Sequence, residues 1–197
     1  MAETIETRPF PPFLPKKATV MMMGTFPPEQ SKRAMEFHYP NFQNDMWRVF
    51  GLVFFDEKDH FRNGEEKAMD PEKIKAFLSE AGIASCPTVL KAIREKGNAS
   101  DAFLKVVEPV PLADVLEQIP DCKHIGTTGS KATEILLSLL PEKVKLPKTG
   151  ETIPFVFNGR ELTLTRLPST SRAYPLSLPK KAEAYKNFFK ACGLKTK

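Results

Sequence analysis

Ala18-Thr19-Val20-Met21-Met22-Met23-Gly24-Thr25-Phe26-Pro27-Pro28, residues 18–28, is the stretch on which the fold turns. Val20 to Met23 are apolar without a break. Such a run reads as a strand buried on both faces, the habit of parallel sheets covered by helices. The first strand is therefore placed at 18–26. It leaves through a Gly/Pro loop, and in open parallel sheets ligands bind outside the carboxyl ends of the strands. A second segment behaves the same way: Leu162-Thr163-Leu164-Thr165-Arg166-Leu167 runs into Pro168-Ser169-Thr170-Ser171-Arg172-Ala173-Tyr174. The two loops are expected to form two walls of one site, although they lie far apart along the chain.

Working outward, residues 1–17 are proline-rich and aperiodic and read as an arm, with one domain over 18–197. Residues 27–41 read as a long loop. From Gln43, the apolar positions Met46, Trp47, Val49, Phe50 and Val53 share a helix face, with Asn44 or Asp45 at the cap. Asp70-Pro71-Glu72 starts a second helix that Gly82 ends, and Gly82–Cys86 reads as a short strand. Val89–Glu95 reads as a turn or two of helix. A helix over Leu112–Gln118 is followed by a strand at Lys123–Gly129 and a helix over Lys131–Leu140. Asn158-Gly159 between two alternating runs signals a hairpin. A last helix covers about Pro179–Cys192. The order predicts an α/β fold: a three-layer α/β/α sandwich with a mainly parallel four-stranded central sheet plus a late β-hairpin.

Composition excludes several classes. Of 197 residues, 41% are hydrophobic and 27% charged, the profile of a soluble globular protein. No apolar run approaches the roughly 18–20 residues of a membrane span. The N-terminal stretch lacks the basic patch and apolar core of a signal peptide, so a cytoplasmic protein is expected, nucleoid-associated if bacterial. Three scattered cysteines and three histidines without ligand spacing argue against disulfides, a metal site or a cofactor. The net charge of +5 permits a polyanionic partner without demanding one. Neither GxGxxG nor GxxxxGK[ST] occurs, so neither nucleotide-binding loop is signalled.

Three segments carry a more specific signal. Gly24-Thr25-Phe26-Pro27 precedes Phe37-His38-Tyr39-Pro40 and Asn44-Asp45-Met46-Trp47-Arg48. Ile125-Gly126-Thr127-Thr128-Gly129-Ser130-Lys131-Ala132 follows, and then Leu167-Pro168-Ser169-Thr170-Ser171. In order and approximate spacing this set resembles the uracil-DNA glycosylase superfamily, closest to its mismatch-specific and hypoxanthine-type branches. The resemblance implies a monofunctional, metal-free DNA glycosylase that flips a deaminated base, uracil or hypoxanthine, from DNA and hydrolyses its N-glycosidic bond in base-excision repair.

It also implies residue roles. Gly24, Thr25, Phe26, Phe37, Thr127 and Thr128 would form the base pocket, with Phe37 the stacking aromatic. Ser169, Thr170 and Ser171 would offer hydroxyl and N–H groups to DNA phosphates, and Arg172 and Tyr174 would fill the space the flipped base leaves. Many relatives place Asp or Asn where Phe26 stands here, and phenylalanine cannot position water. In the hypoxanthine-type branch the asparagine before the Phe-Trp pair is implicated instead, which points to Asn44 as the catalytic residue. Thr128 replaces a frequent asparagine, so base preference does not carry over. Asp45, Glu29 and His38 are secondary candidates, and the expected partner is damaged DNA, bound by a monomer. Read without the resemblance, Asn44 is equally a helix cap, Phe37 a core residue and Ser169–Ser171 a polar turn. Two other functions stay open: a non-catalytic nucleic-acid-binding module with this fold, or an unrelated small-molecule-binding α/β protein.

Overall fold

The computed structural model describes residues 3–95 and 101–197. The chain begins with a short strand, β1 (Ile5–Thr7), followed by β2 (Val20–Met23), α1 (Met46–Phe55) and α2 (Pro71–Ala81). Then come β3 (Ile83–Ser85), β4 (Val89–Arg94), β5 (Leu104–Pro109) and α3 (Leu112–Gln118). The last third holds β6 (His124–Thr128), α4 (Ser130–Ser138), β7 (Thr152–Phe157), β8 (Arg160–Leu167) and α5 (Leu178–Ala191).

The main sheet has the order β3-β2-β6-β8-β7. Its first four strands are parallel, and β7 closes one side as the antiparallel arm of the Asn158-Gly159 hairpin. The expected α/β/α architecture therefore stands. Strand geometry explains why β2 is apolar throughout, since successive side chains leave on opposite faces. Val20 and Met22 enter a core with Phe50, Ile74, Tyr185 and Phe189 from α1, α2 and α5. Met21 and Met23 enter the opposite core with Val115, Leu116 and Leu136 from α3 and α4. Gly126 in β6 lets α5 lie directly on the sheet: a Cβ there would fall 2.9 Å from the Phe188 ring.

Local signals account for the helix ends. The Asp70 carboxylate accepts from the N–H groups of Glu72 and Lys73, Pro71 opens α2, and Gly82, at φ +73°, closes it.

Two expectations change. Val89–Glu95 is not helical: Val89–Arg94 is strand β4, paired antiparallel with β5 and β1 in a second, three-stranded sheet. Its apolar residues suit either structure locally, and the cross-strand partners decide, burying Val89 and Ala92 against Leu104. The proline-rich arm also carries structure. Its residues 5–7 are β1, and Phe13 bridges Ser85 at the outer edge of β3. Residues 1 and 2 of that arm lie outside the described residues. No helix among the described residues is long and apolar enough to cross a membrane.

Candidate functional site

The carboxyl ends of β2, β3, β6 and β8 open into one cleft of about 660 Å³. Its floor begins at Gly24, where β2 ends. Thr88 clamps this turn by donating both its N–H and its hydroxyl to the Gly24 carbonyl, at 2.8 and 2.9 Å. The N–H of Val89 donates to the Thr25 carbonyl at 3.2 Å. The Tyr39 ring lies over Gly24, so close that a Cβ on residue 24 would stand 2.6 Å from the phenol oxygen. Tyr39 and Thr128 share a hydrogen bond of 3.2 Å across the floor. Burial pushes the Tyr39 phenol up to about 12, and the negative Asp101 adds to the rise, so it stays protonated at neutral pH.

One wall is the loop after β8. Tyr185 donates its hydroxyl to the Pro168 carbonyl at 2.7 Å, and the Asp45 N–H donates to that of Thr170 at 2.9 Å. Lys181, buried on α5, donates to the Ser171 carbonyl at 3.0 Å and to the Asp45 carboxylate at 3.2 Å. Arg48 and Arg172 approach the same carboxylate at 3.8 and 3.4 Å. Three cations around one anion leave this wall net positive. Within the loop, Ser169 and Ser171 accept from the N–H groups of Ser171 and Ala173, turns that serine side chains commonly close.

The opposite wall comes from the N-terminal segment, the end of β3 and the turns beside the second sheet: Arg8, Phe10, Ser85, Pro87 and Asp101. His38 ties the pieces together. Its Nε2 donates to the Pro11 carbonyl at 2.9 Å, because a carbonyl can only accept. Its Nδ1 consequently accepts from the Ser85 hydroxyl at 2.6 Å. Burial holds His38 down at about 4, a neutral ring.

Gly24, Thr25, Phe26, Asn44, Thr128, Ser169, Thr170, Ser171 and Tyr174 all line the cleft. Asn44 sits just before α1; its Oδ1 accepts from the Met46 N–H at 2.9 Å, and its Nδ2 has no partner among the described residues. Three expected residues lie elsewhere. Phe37 is in the core, stacked on His38 at 4.7 Å and Trp47 at 6.0 Å, because the aromatic cluster around Trp47 takes it up. Tyr39, two residues on, is the ring that meets the cleft. Thr127 points to the opposite side of its strand from Thr128 and shares a 2.7 Å hydrogen bond with Thr133 of α4. Arg172 is half-exposed beside the cleft and does not line it.

Asp101, Arg8, Phe10 and Ser85 were not anticipated. All come from the arm, from β3 or from the second sheet, where sequence pattern says little about which side chains converge. Of the secondary candidates, Asp45 is committed to its three cations, while Glu29 pairs with the exposed Lys32 at 3.8 Å.

No family model matches the chain, and no curated protein matches it either. Among solved structures it is similar to one from Methanosarcina acetivorans, determined in solution and described as a candidate uracil DNA glycosylase. The TM-score is 0.65 at 22% identity, over 96% of this chain and 99% of that one. The two chains share one fold. Within this shared fold, the Gly24–Pro28 and Pro168–Tyr174 loops both leave carboxyl ends of the parallel strands, and the cleft lies between them.

Proposed function

We propose that this chain is a DNA glycosylase that draws a deaminated base, uracil or hypoxanthine, into the cleft and hydrolyses its N-glycosidic bond. One observation carries the reading: Gly24–Phe26, Asn44, Thr128 and Ser169–Ser171, which resemble one superfamily's motifs, meet in a single cleft at the strand ends. The fold shared with the Methanosarcina acetivorans protein supports it. The roles follow from the chemistry on offer. The Tyr39 ring and Phe26 present aromatic surface to a flipped base, and Thr128 with the Tyr39 hydroxyl presents hydrogen-bonding groups to its edge. Arg172 and the net-positive wall behind Ser169–Ser171 favour the phosphate backbone. Asn44, its Oδ1 engaged by the backbone, offers its Nδ2 to the sugar, to the leaving base or to water.

A second reading, binding without cleavage, has one observation in its favour: Phe26 gives the β2 loop no side chain able to position water. The deciding assay presents duplexes with uracil, hypoxanthine, xanthine or a thymine mispair, then cleaves abasic sites with alkali. Breaks made by the wild type and lost in Asn44→Ala support the enzyme. Asn44→Ser, which keeps a capping oxygen, separates the loss of the amide from the loss of the cap. Salt-sensitive binding with no break on any duplex supports the binding module.

A further inference from the structure

The Gly24–Pro28 stretch after β2 has no acid, yet a carboxylate stands beside it. The Phe26 ring packs against Val89, Ala92 and Leu104 and lies 5.3 Å from the Arg94 guanidinium, so Phe26 is tied to the second sheet's small core while it also edges the cleft. Asp101 opens the 3-10 turn Asp101–Phe103 ahead of β5 and lines the same cleft as Asn44. Thr25, in the β2 loop itself, donates its hydroxyl to Asp101 Oδ1 at 2.7 Å. Lys131 of α4 donates to the backbone carbonyls of Asp101 and Leu104, fixing the turn from below without neutralising the side chain by direct contact. Oδ2 has no partner among the described residues. Burial raises the Asp101 carboxyl above the usual range, against the opposing pull of Thr25 and Lys131. A largely desolvated carboxylate on the lining of a cleft, held among the described residues by one hydroxyl, is costly for mere structure and suited to chemistry.

We propose that Asp101 is the anion of this cleft, taking over from across the fold the role that Phe26 cannot fill, which is to hold the attacking water and to face the positive charge that develops on the sugar. The proposal rests on the glycosylase reading above. In the step, the C1′–N bond breaks and its electron pair leaves with the base. The water oxygen bonds to C1′, and the water's proton passes to Asp101 and from there to the departed base nitrogen. One water is consumed, and an abasic site and a free base are formed.

The test is single-turnover excision by the full chain on whichever duplex the wild type cuts, run across pH. It is paired with binding to the same duplex carrying a 2′-fluorinated sugar that resists cleavage. Asp101→Asn keeps an oxygen for Thr25 and removes the charge. It should slow excision about 100-fold or more, the usual scale for losing such a group. Binding should hold or tighten, since a negative charge near phosphates is gone, and the acid limb of the wild-type rate profile should flatten. Asp101→Glu, which restores the charge, should recover part of the rate. Excision by Asp101→Asn within threefold of wild type overturns the proposal and leaves the glycosylase reading intact. Rate, binding and unfolding midpoint all falling together also overturns it, in favour of a structural role. A wild type that cuts no duplex overturns both readings, and that failure shows in the wild type itself.

Discussion

The two walls of the cleft are built on different principles. The Pro168–Tyr174 wall is an irregular loop held by hydrogen bonds and by charge: one buried carboxylate, Asp45, gathers Lys181, Arg48 and Arg172 and so fastens the loop to α1 and α5. The facing wall is held mainly by pairing and packing, through strands β1, β4 and β5 and the neutral His38 between Pro11 and Ser85, with the Arg94–Glu6 ion pair tying β4 to β1. The contrast teaches that a site can be rigid on both sides while responding to different conditions on each. Charge substitutions should act most on the first wall, and acid most on the second.

The largest effect is expected from Asp45→Ala. It strands Lys181 and Arg48 in a buried setting without their anion and should cost about 3–5 kcal/mol in denaturant unfolding. A cost under about 1 kcal/mol would mean that the network is screened and that the loop is held by its backbone bonds alone.

Acid tests the other wall. Folding lowers His38 from 6.5 to about 4, so below pH 6.5 the unfolded chain takes up a proton that the folded chain refuses. The contribution is fully present above pH 6.5 and is lost as pH falls toward 4, a loss on the order of 3 kcal/mol. His38→Gln, which does not titrate, should show a flatter fall over the same range in unfolding experiments.

Gly24→Ala probes the floor between the walls. The new methyl meets the Tyr39 hydroxyl and should cost roughly 1–3 kcal/mol. Tyr39→Phe in the same chain should recover much of that, and a double-mutant cycle measures the coupling. The smallest effect is expected from Arg172→Ala, whose side chain is 53% exposed. It should change stability by less than about 1 kcal/mol, yet lower the salt slope of DNA binding by about one.

The parts of this arrangement that the sequence made legible are those in which one residue's pattern determines its own surroundings. The apolar run Val20–Met23 could only be buried on two faces, and Asp70-Pro71 with Gly82 marked both ends of α2. Asn158-Gly159 placed the hairpin. The second sheet was hidden because Val89, Ala92 and Ile93 suit a helix or a strand equally until β1 and β5 are beside them. Phe37 is in the core and Tyr39 meets the cleft in its place for a similar reason. They sit in an irregular loop without a period, and Tyr39 adopts a left-handed conformation, φ +54°, that turns the chain between core and cleft. Asp101 had no local mark at all, since the hydrogen bond that holds it at the cleft comes from Thr25, far away in sequence.

The edge bridge made by Phe13 has a bearing on how the protein behaves in bulk. An unpaired strand edge is a template for other chains, and this molecule guards each edge of its main sheet differently. Pro154 interrupts the outer row of donors on β7, where Val156 is 56% exposed. Phe13 covers β3, and β1 covers β4. Trimming the proline-rich arm back to residue 18 would therefore uncover two edges at once, and the shortened chain should come out of solution by strand-to-strand association while its helices remain intact.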